Sequence, residues 1–139
     1  MNSADYKRMS PFALGETGTV TRLVIYLASP AGGSQRMRPV IYRDAAGSPG
    51  ALVATGPERL LAPAAGGEWV ELPLAAPVTL APGTYWLGLL TGETNQATLH
   101  FLGTTPGQKV YAWDAYANGP ADPAGPGTVD ARPMSIFAE

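Results

Sequence analysis

The chain has no cysteine and a single histidine, His100. Lack of cysteine excludes disulfides, thiolate zinc sites and cysteine nucleophiles, and leaves the compartment open. One histidine leaves a zinc site only carboxylates as companions. Charge is also scarce: 9 Lys and Arg against 11 Asp and Glu, a formal net charge of −2. That balance gives no electrostatic reason for nucleic acid or an anionic membrane as partner. The densest basic group is Arg36, Arg38 and Arg43, and strand alternation puts two on one face and the third opposite, so no basic stripe forms. No apolar run is long enough to span a bilayer. The opening "MNSADYKRMSPF" has no apolar h-region and is not an intact secretory signal. The protein is expected to act where it is made, to leave by lysis, or to have lost a signal.

A convincing helical period is missing too, whereas Gly (17) and Pro (14) are abundant and spread along the chain, which argues for many turns. A length of 139 residues suggests one domain. Such a domain buries roughly 68–70% of its unfolded surface and needs no covalent staple. "TVTRLVIYL" (19–27) reads as a strand with Leu23, Ile25 and Leu27 on one face and Val24 and Tyr26 on the other. "RMRPVIYR" (36–43) is a second, with Pro39 indicating an edge or a bulge. "DAAGSPG" is a turn. "ALVAT", "ERLLA", "EWVELPL", "TYWLGLL", "ATLHFLG", "KVYAW" and "PMSIFA" complete the series. About eight short strands with turn signals every 8–12 residues indicate an all-β, antiparallel, jelly-roll-like sandwich. Its expected extent is 17–139, after an N-terminal arm of 1–16; the strand order does not follow. Asp114 to Arg132, "DAYANGPADPAGPGTVDAR", is too long for a simple connection. It is expected to meander over a sheet face, pinned by Tyr116, with its prolines lowering the cost of ordering.

Catalytic patterns are weak. Ser48 in "AGSPG" approaches a nucleophile elbow, but the oxyanion hole needs the next residue's N–H, and Pro49 has none; a β-turn is the simpler reading. His100 in "TLHFL" has no companions and reads as a surface or core residue. Glu68 and Glu71 have opposite strand parity, so they do not form the carboxylate pair of a glycosidase. Asp114, Asn118, Asp122 and Asp130 gather in the long segment. They are the only calcium candidates, yet their spacing matches no calcium loop and also suits turns and caps. The expectation is a protein that is not an enzyme and carries no cofactor, calcium aside.

Aromatics are more informative: Trp69, Tyr85, Trp86, Tyr111, Trp113 and Tyr116. Tyr85 and Trp86 are adjacent in "PVTLAPGTYWLGLLTG", so they point to opposite faces. Tyr85 shares its face with Leu87 and Leu89 and is expected in the core. Trp86 shares the other with Gly88, a gap that lets something approach the backbone. Its cover is expected to be the 114–132 segment, an adjacent chain or a sugar ring.

The succession "TGTVTRLVIYL", "PVIYRDAAGSPGALVATG", "GEWVELPLAAPVTLAPGTYWLGLLTG", "YAWDAYANGPADPAG" and "MSIFAE" resembles β-sandwich modules of secreted proteins of high-GC bacteria and of tail or other virion proteins of their phages. Those modules are similar to carbohydrate-binding domains. The resemblance spans about residues 17–139 and implies a non-catalytic role in adhesion or assembly; it carries over no ligand residues. Here the module is the whole sequence from Met1, which fits a virion protein, made in the cytoplasm and released by lysis. The first expectation is therefore a phage capsid decoration or tail protein, bound to other virion subunits and homo-oligomeric. Tyr6 and Phe12 would anchor its arm, and Lys7 and Arg8 would meet an acidic surface. The alternative is an extracellular carbohydrate-binding module. Contact candidates for either are Tyr6, Phe12, Trp86, Tyr111, Trp113 and Tyr116. An assembly protein should show a docking arm, a glycan binder two or more exposed aromatics beside polar side chains, and an enzyme paired carboxylates in a pocket.

Overall fold

The computed structural model describes residues 4–29, 34–62, 64–92, 98–99 and 108–139. These residues form two antiparallel sheets packed as a β-sandwich, and among them the only helical element is one 3-10 turn. The strands are β1 (Tyr6–Leu14), β2 (Gly18–Ser29), β3 (Gln35–Ala45), β4 (Ser48–Thr55), β5 (Arg59–Leu61), β6 (Ala64–Leu80), β7 (Gly83–Thr91), β8 (Thr98–Leu99), β9 (Lys109–Trp113), β10 (Thr128–Asp130) and β11 (Ile136–Ala138). The larger sheet runs β10-β9-β1-β7-β3-β4, with β5 also on β3; the smaller runs β11-β2-β6, with β8 also on β2. The described residues thus form eleven strands, several of them only two or three residues long, against the expected eight or so.

The two that sequence patterning did not foresee are β10 and, more consequentially, β1. Residues 6–14 are not an arm. They form a strand inside the large sheet, paired with β7 from Tyr6↔Thr91 to Leu14↔Gly83 and with β9 from Tyr6↔Trp113 to Met9↔Val110. Hence Lys7 and Arg8 are buried within the domain and Phe12 packs against its core, so none of them belongs to an arm that could dock on a neighbouring subunit. The sequence concealed this because "YKRMSPFAL" has no apolar alternation and contains Pro11. That proline lies opposite Trp86 but beyond the end of the β9 pairing, where a missing N–H breaks no ladder on that side.

Pro39 likewise sits in an inner strand rather than at an edge. It faces Leu89 of β7, and on its other side β3 changes partner from β5 (35–37) to β4 (from Val40). The β3–β4 ladder does carry irregularities beside Tyr42.

Alternation then builds two apolar layers. Leu23, Ile25 and Leu27 of β2, Val70 and Leu72 of β6, Met37 and Ile41 of β3, and Tyr85, Leu87 and Leu89 of β7 fill the space between the sheets. Met9, Val40, Tyr42, Trp86, Leu90 and Val110 point to the outer face of the large sheet and form a second cluster with Tyr116 and Ala124. Each such side chain contributes about 1.5–3 kcal/mol on full burial. The cover of that second layer is the segment after β9, which makes a 3-10 turn at Tyr116–Asn118 and left-handed bends at Gly119 (φ 72°) and Gly125 (φ 74°). Tyr42 Oη donates to the Ala121 carbonyl (2.7 Å), Ala124 N–H to the Gly50 carbonyl (2.9 Å), and Leu52 N–H to Asp122 Oδ1 (2.9 Å).

Candidate functional site

Tyr85 and Trp86 part as the strand geometry requires. Tyr85 enters the inter-sheet core and donates its hydroxyl to the Ala81 carbonyl at 2.7 Å. Trp86 is fully buried in the outer cluster, and its Nε1 donates to Asp44 Oδ1 at 2.9 Å. The gap beside Gly88 is filled by the chain itself: a Cβ there would lie 1.8 Å from the Arg8 carbonyl oxygen. Trp86 is therefore a structural residue with no surface left for a ligand.

The long segment is held by charge as well as by packing. Lys7 Nζ, 1% exposed, bonds Asp114 Oδ2 at 3.0 Å and the Ala124 carbonyl at 2.6 Å, while Asp114 Oδ2 also accepts from Ala121 N–H at 2.9 Å. Tyr116 N–H donates to Asp5 Oδ1 (3.0 Å), and its hydroxyl to Glu58 Oε2 (3.0 Å). Burial, helped by Glu58, pushes that hydroxyl up to about 12. These contacts also dissolve the calcium candidates as one site. Asp114 is committed to Lys7, Asp122 to Leu52, and Asp130 to Arg132 and Lys109, while Asn118 lies in the 3-10 turn. Among the described residues no three metal-ligating side chains converge.

Ser48 opens β4 after a tight hairpin in which Ala46 and Gly47 both have positive φ, 53° and 88°. It belongs to a two-residue β-turn rather than to a strand-to-helix elbow. Glu71 stands opposite Val24 and Glu68 opposite Leu27, so the two project to opposite faces. His100 lies outside the described residues. Of the remaining contact candidates, Tyr6 and Tyr111 are half-buried with ring centroids 6.4 Å apart, and Trp113 at the end of β9 is 67% exposed.

The surface with the clearest binding character lies on the other sheet. Trp69 of β6 faces outward, 54% exposed, directly opposite Tyr26 of β2. The two rings meet edge to face at 5.2 Å, and Phe137 of β11 reaches Trp69 across β2 at 5.4 Å. Tyr26 can lie down because Gly67 has no side chain; a Cβ there would come 2.3 Å from the Tyr26 ring. Val24 is buried beneath the group. The indole is thus packed against two rings while about half of its surface faces solvent. Beside it, Arg22 bonds Glu139 through Nε at 2.8 Å and approaches Glu71 to 3.9 Å. Glu139 is the main reason the Arg22 guanidinium is held even more firmly protonated than usual. The alternation of "TVTRLVIYL" put Tyr26 on the face opposite Leu23, Ile25 and Leu27, but the sequence could not say that Trp69 pairs with it in this register, nor that Phe137 joins them.

Compared with protein-family models, curated proteins and solved structures, the chain matches none.

Proposed function

We propose that this protein is a non-catalytic glycan-binding module serving adhesion at a cell or particle surface. The observation that carries this reading is the fixed, exposed Trp69 indole flanked by Tyr26 and Phe137 and rimmed by Arg22, Glu71 and Glu139. A sugar ring offers an apolar C–H face to stack on such an indole, and hydroxyls that pair with carboxylate and guanidinium groups. Size favours a sugar over a protein. Aromatic side chains present about 150–250 Å² each, so the exposed part of these three is on the order of 300 Å². A stable protein interface takes about 800 Å² from each partner.

The resemblance to virion modules supports a second reading, a subunit of a phage particle. Its structural argument was a free N-terminal arm, and residues 6–14 are instead a strand of the large sheet. The glycan reading is tested with Trp69→Ala, assayed by pull-down on cellulose and chitin and by affinity electrophoresis in soluble xylan and β-glucan. The intact protein should be retained by at least one of these and the variant by none, with unfolding stability changed by less than about 1 kcal/mol, since the side chain is largely exposed. Retention of neither protein, or equal retention of both, would remove the platform as the binding site.

A further inference from the structure

On β1 the odd residues Lys7 and Met9 face the outer layer, so Tyr6, Arg8, Ser10 and Phe12 face inward. Arg8 has Leu89 of β7 on one side and Tyr111 of β9 on the other. The inner face is apolar at β7, in the inter-sheet core, and becomes charged from β1 outward: Arg8, then Lys109 of β9 and Asp130 of β10, which stand opposite each other. Arg8 is 4% exposed, and its Nη1 is buried without a hydrogen-bond partner. Its guanidinium carbon lies 5.5 Å from the Tyr6 ring centroid. The nearby carboxylate is already used, since Asp130 lies 3.5 Å from Lys109 Nζ and 3.1 Å from Arg132. Lys109 and Arg132 thus both engage Asp130, and no ion pair reaches Arg8 among the described residues.

A buried ion without a counter-charge is destabilising, because its lost hydration is not replaced. Here the cost shows in the guanidinium itself, which burial brings down to about 10, against weaker opposing effects of Tyr6 and Tyr111. Arg38 also has an unpartnered Nε, but it lies over the Tyr116 ring and donates from Nη1 toward the Gly56 carbonyl. Among the described residues Arg8 alone combines near-complete burial with a buried nitrogen that has no acceptor. Tyr6, whose ring Arg8 overlies, and Tyr111, opposite Arg8 in register, are only half-buried, and Trp113 at the end of β9 is exposed.

We propose that Arg8, over the Tyr6 ring and opposite Tyr111 in register, with Lys109 on the same face, is a binding site for a carboxylate-bearing ligand. A guanidinium offers parallel N–H donors that match the two oxygens of a carboxylate, and the hydroxyls of the two half-buried tyrosines are further donors. The site is separate from the Trp69 surface and does not rest on the glycan reading.

The test is thermal unfolding and titration calorimetry of the intact protein with sodium acetate, sodium glucuronate and sodium sulfate, at constant ionic strength with chloride as reference. Acetate and glucuronate should raise the melting temperature saturably in the wild type. Arg8→Met should lose at least tenfold in affinity, and Arg8→Lys should fall between, keeping the charge but not the fork. Glucuronate binding tighter than acetate would assign the carboxylate to an acidic sugar, and equal binding to a simple carboxylic acid. Trp69→Ala should respond as the wild type does, so that failure of the platform and failure of this site are told apart. The proposal is overturned if the wild type shows no saturable carboxylate response, if Arg8→Met keeps it, or if sulfate alone binds. Calorimetry on the wild type decides even where a variant does not fold.

Discussion

Lys7 and Arg8 are neighbours on one strand, both cationic and both buried, and they meet opposite fates. Lys7 faces the outer layer and finds a carboxylate and a carbonyl, Asp114 and Ala124, on the segment that crosses over it. Arg8 faces inward and finds two tyrosines, a lysine and no acceptor for Nη1. Burial alone therefore does not state what a charged residue is for. A buried cation whose donors are satisfied by the protein fastens one element to another. One whose donors are left open keeps its interaction free energy for something outside the chain, at a cost in stability. The same sheet thus has a closed face, where Trp86 and Lys7 are consumed by the fold, and a face whose polar end is incomplete.

The comparison is broken most severely from the closed side. Trp86→Ala removes a fully buried indole and leaves Asp44 Oδ1 without its donor. A loss of about 3–5 kcal/mol is expected, read from urea unfolding. A loss below about 1 kcal/mol would mean that the 114–127 segment does not hold the indole in a packed layer. Lys7→Met follows at about 3 kcal/mol, the lower end for a broken buried pair, because Asp114 keeps the Ala121 N–H. Arg8→Met is the counterpart. Replacing an uncompensated buried charge by an apolar side chain of similar size should leave unliganded stability unchanged or higher. If the two substitutions destabilise equally, Arg8 is satisfied in a way its neighbours do not reveal, and the contrast is lost.

Alternation, a property of single strands, was legible in the sequence. It separated Tyr85 from Trp86, put Leu23, Ile25 and Leu27 on one shared face, and gave the two-layer class from strand length and turn spacing. Pairing is a property of two strands and was not legible. Tyr26, Trp69 and Phe137 come from β2, β6 and β11, far apart in the chain, and only their register makes them one surface. Strand β1 was hidden for another reason. Its inward and outward faces both carry cations, and a Lys–Arg pair beside a proline looks like a solvated arm unless the buried Asp114 partner is known. Carboxylates misled in the same way: Asp114, Asp122 and Asp130 cluster in sequence, but each is spent on a different strand.

The smallest expected effect sharpens the contrast at the incomplete end. The side-chain hydrogen bond from Arg132, then its backbone N–H and the Lys109 charge, hold the Asp130 carboxyl down at about 2. A carboxyl depressed in the folded state adds stability that is complete above its unfolded value, near 3.9, and lost as pH falls through the folded one. Wild type should therefore lose stability relative to Asp130→Asn between pH 4 and pH 2, in chloride, with the two curves converging near the lower limit. At pH 7 the variant should cost less than about 1 kcal/mol, because the Arg132 partner is 62% exposed and solvent screens the pair. The Asp130→Asn substitution would also leave Lys109 and Arg8 with one negative charge fewer between them. Carboxylate affinity at pH 7 should then rise severalfold while stability barely moves. Unchanged or weaker affinity would show that Asp130 and Lys109 do not share a field with the Arg8 site.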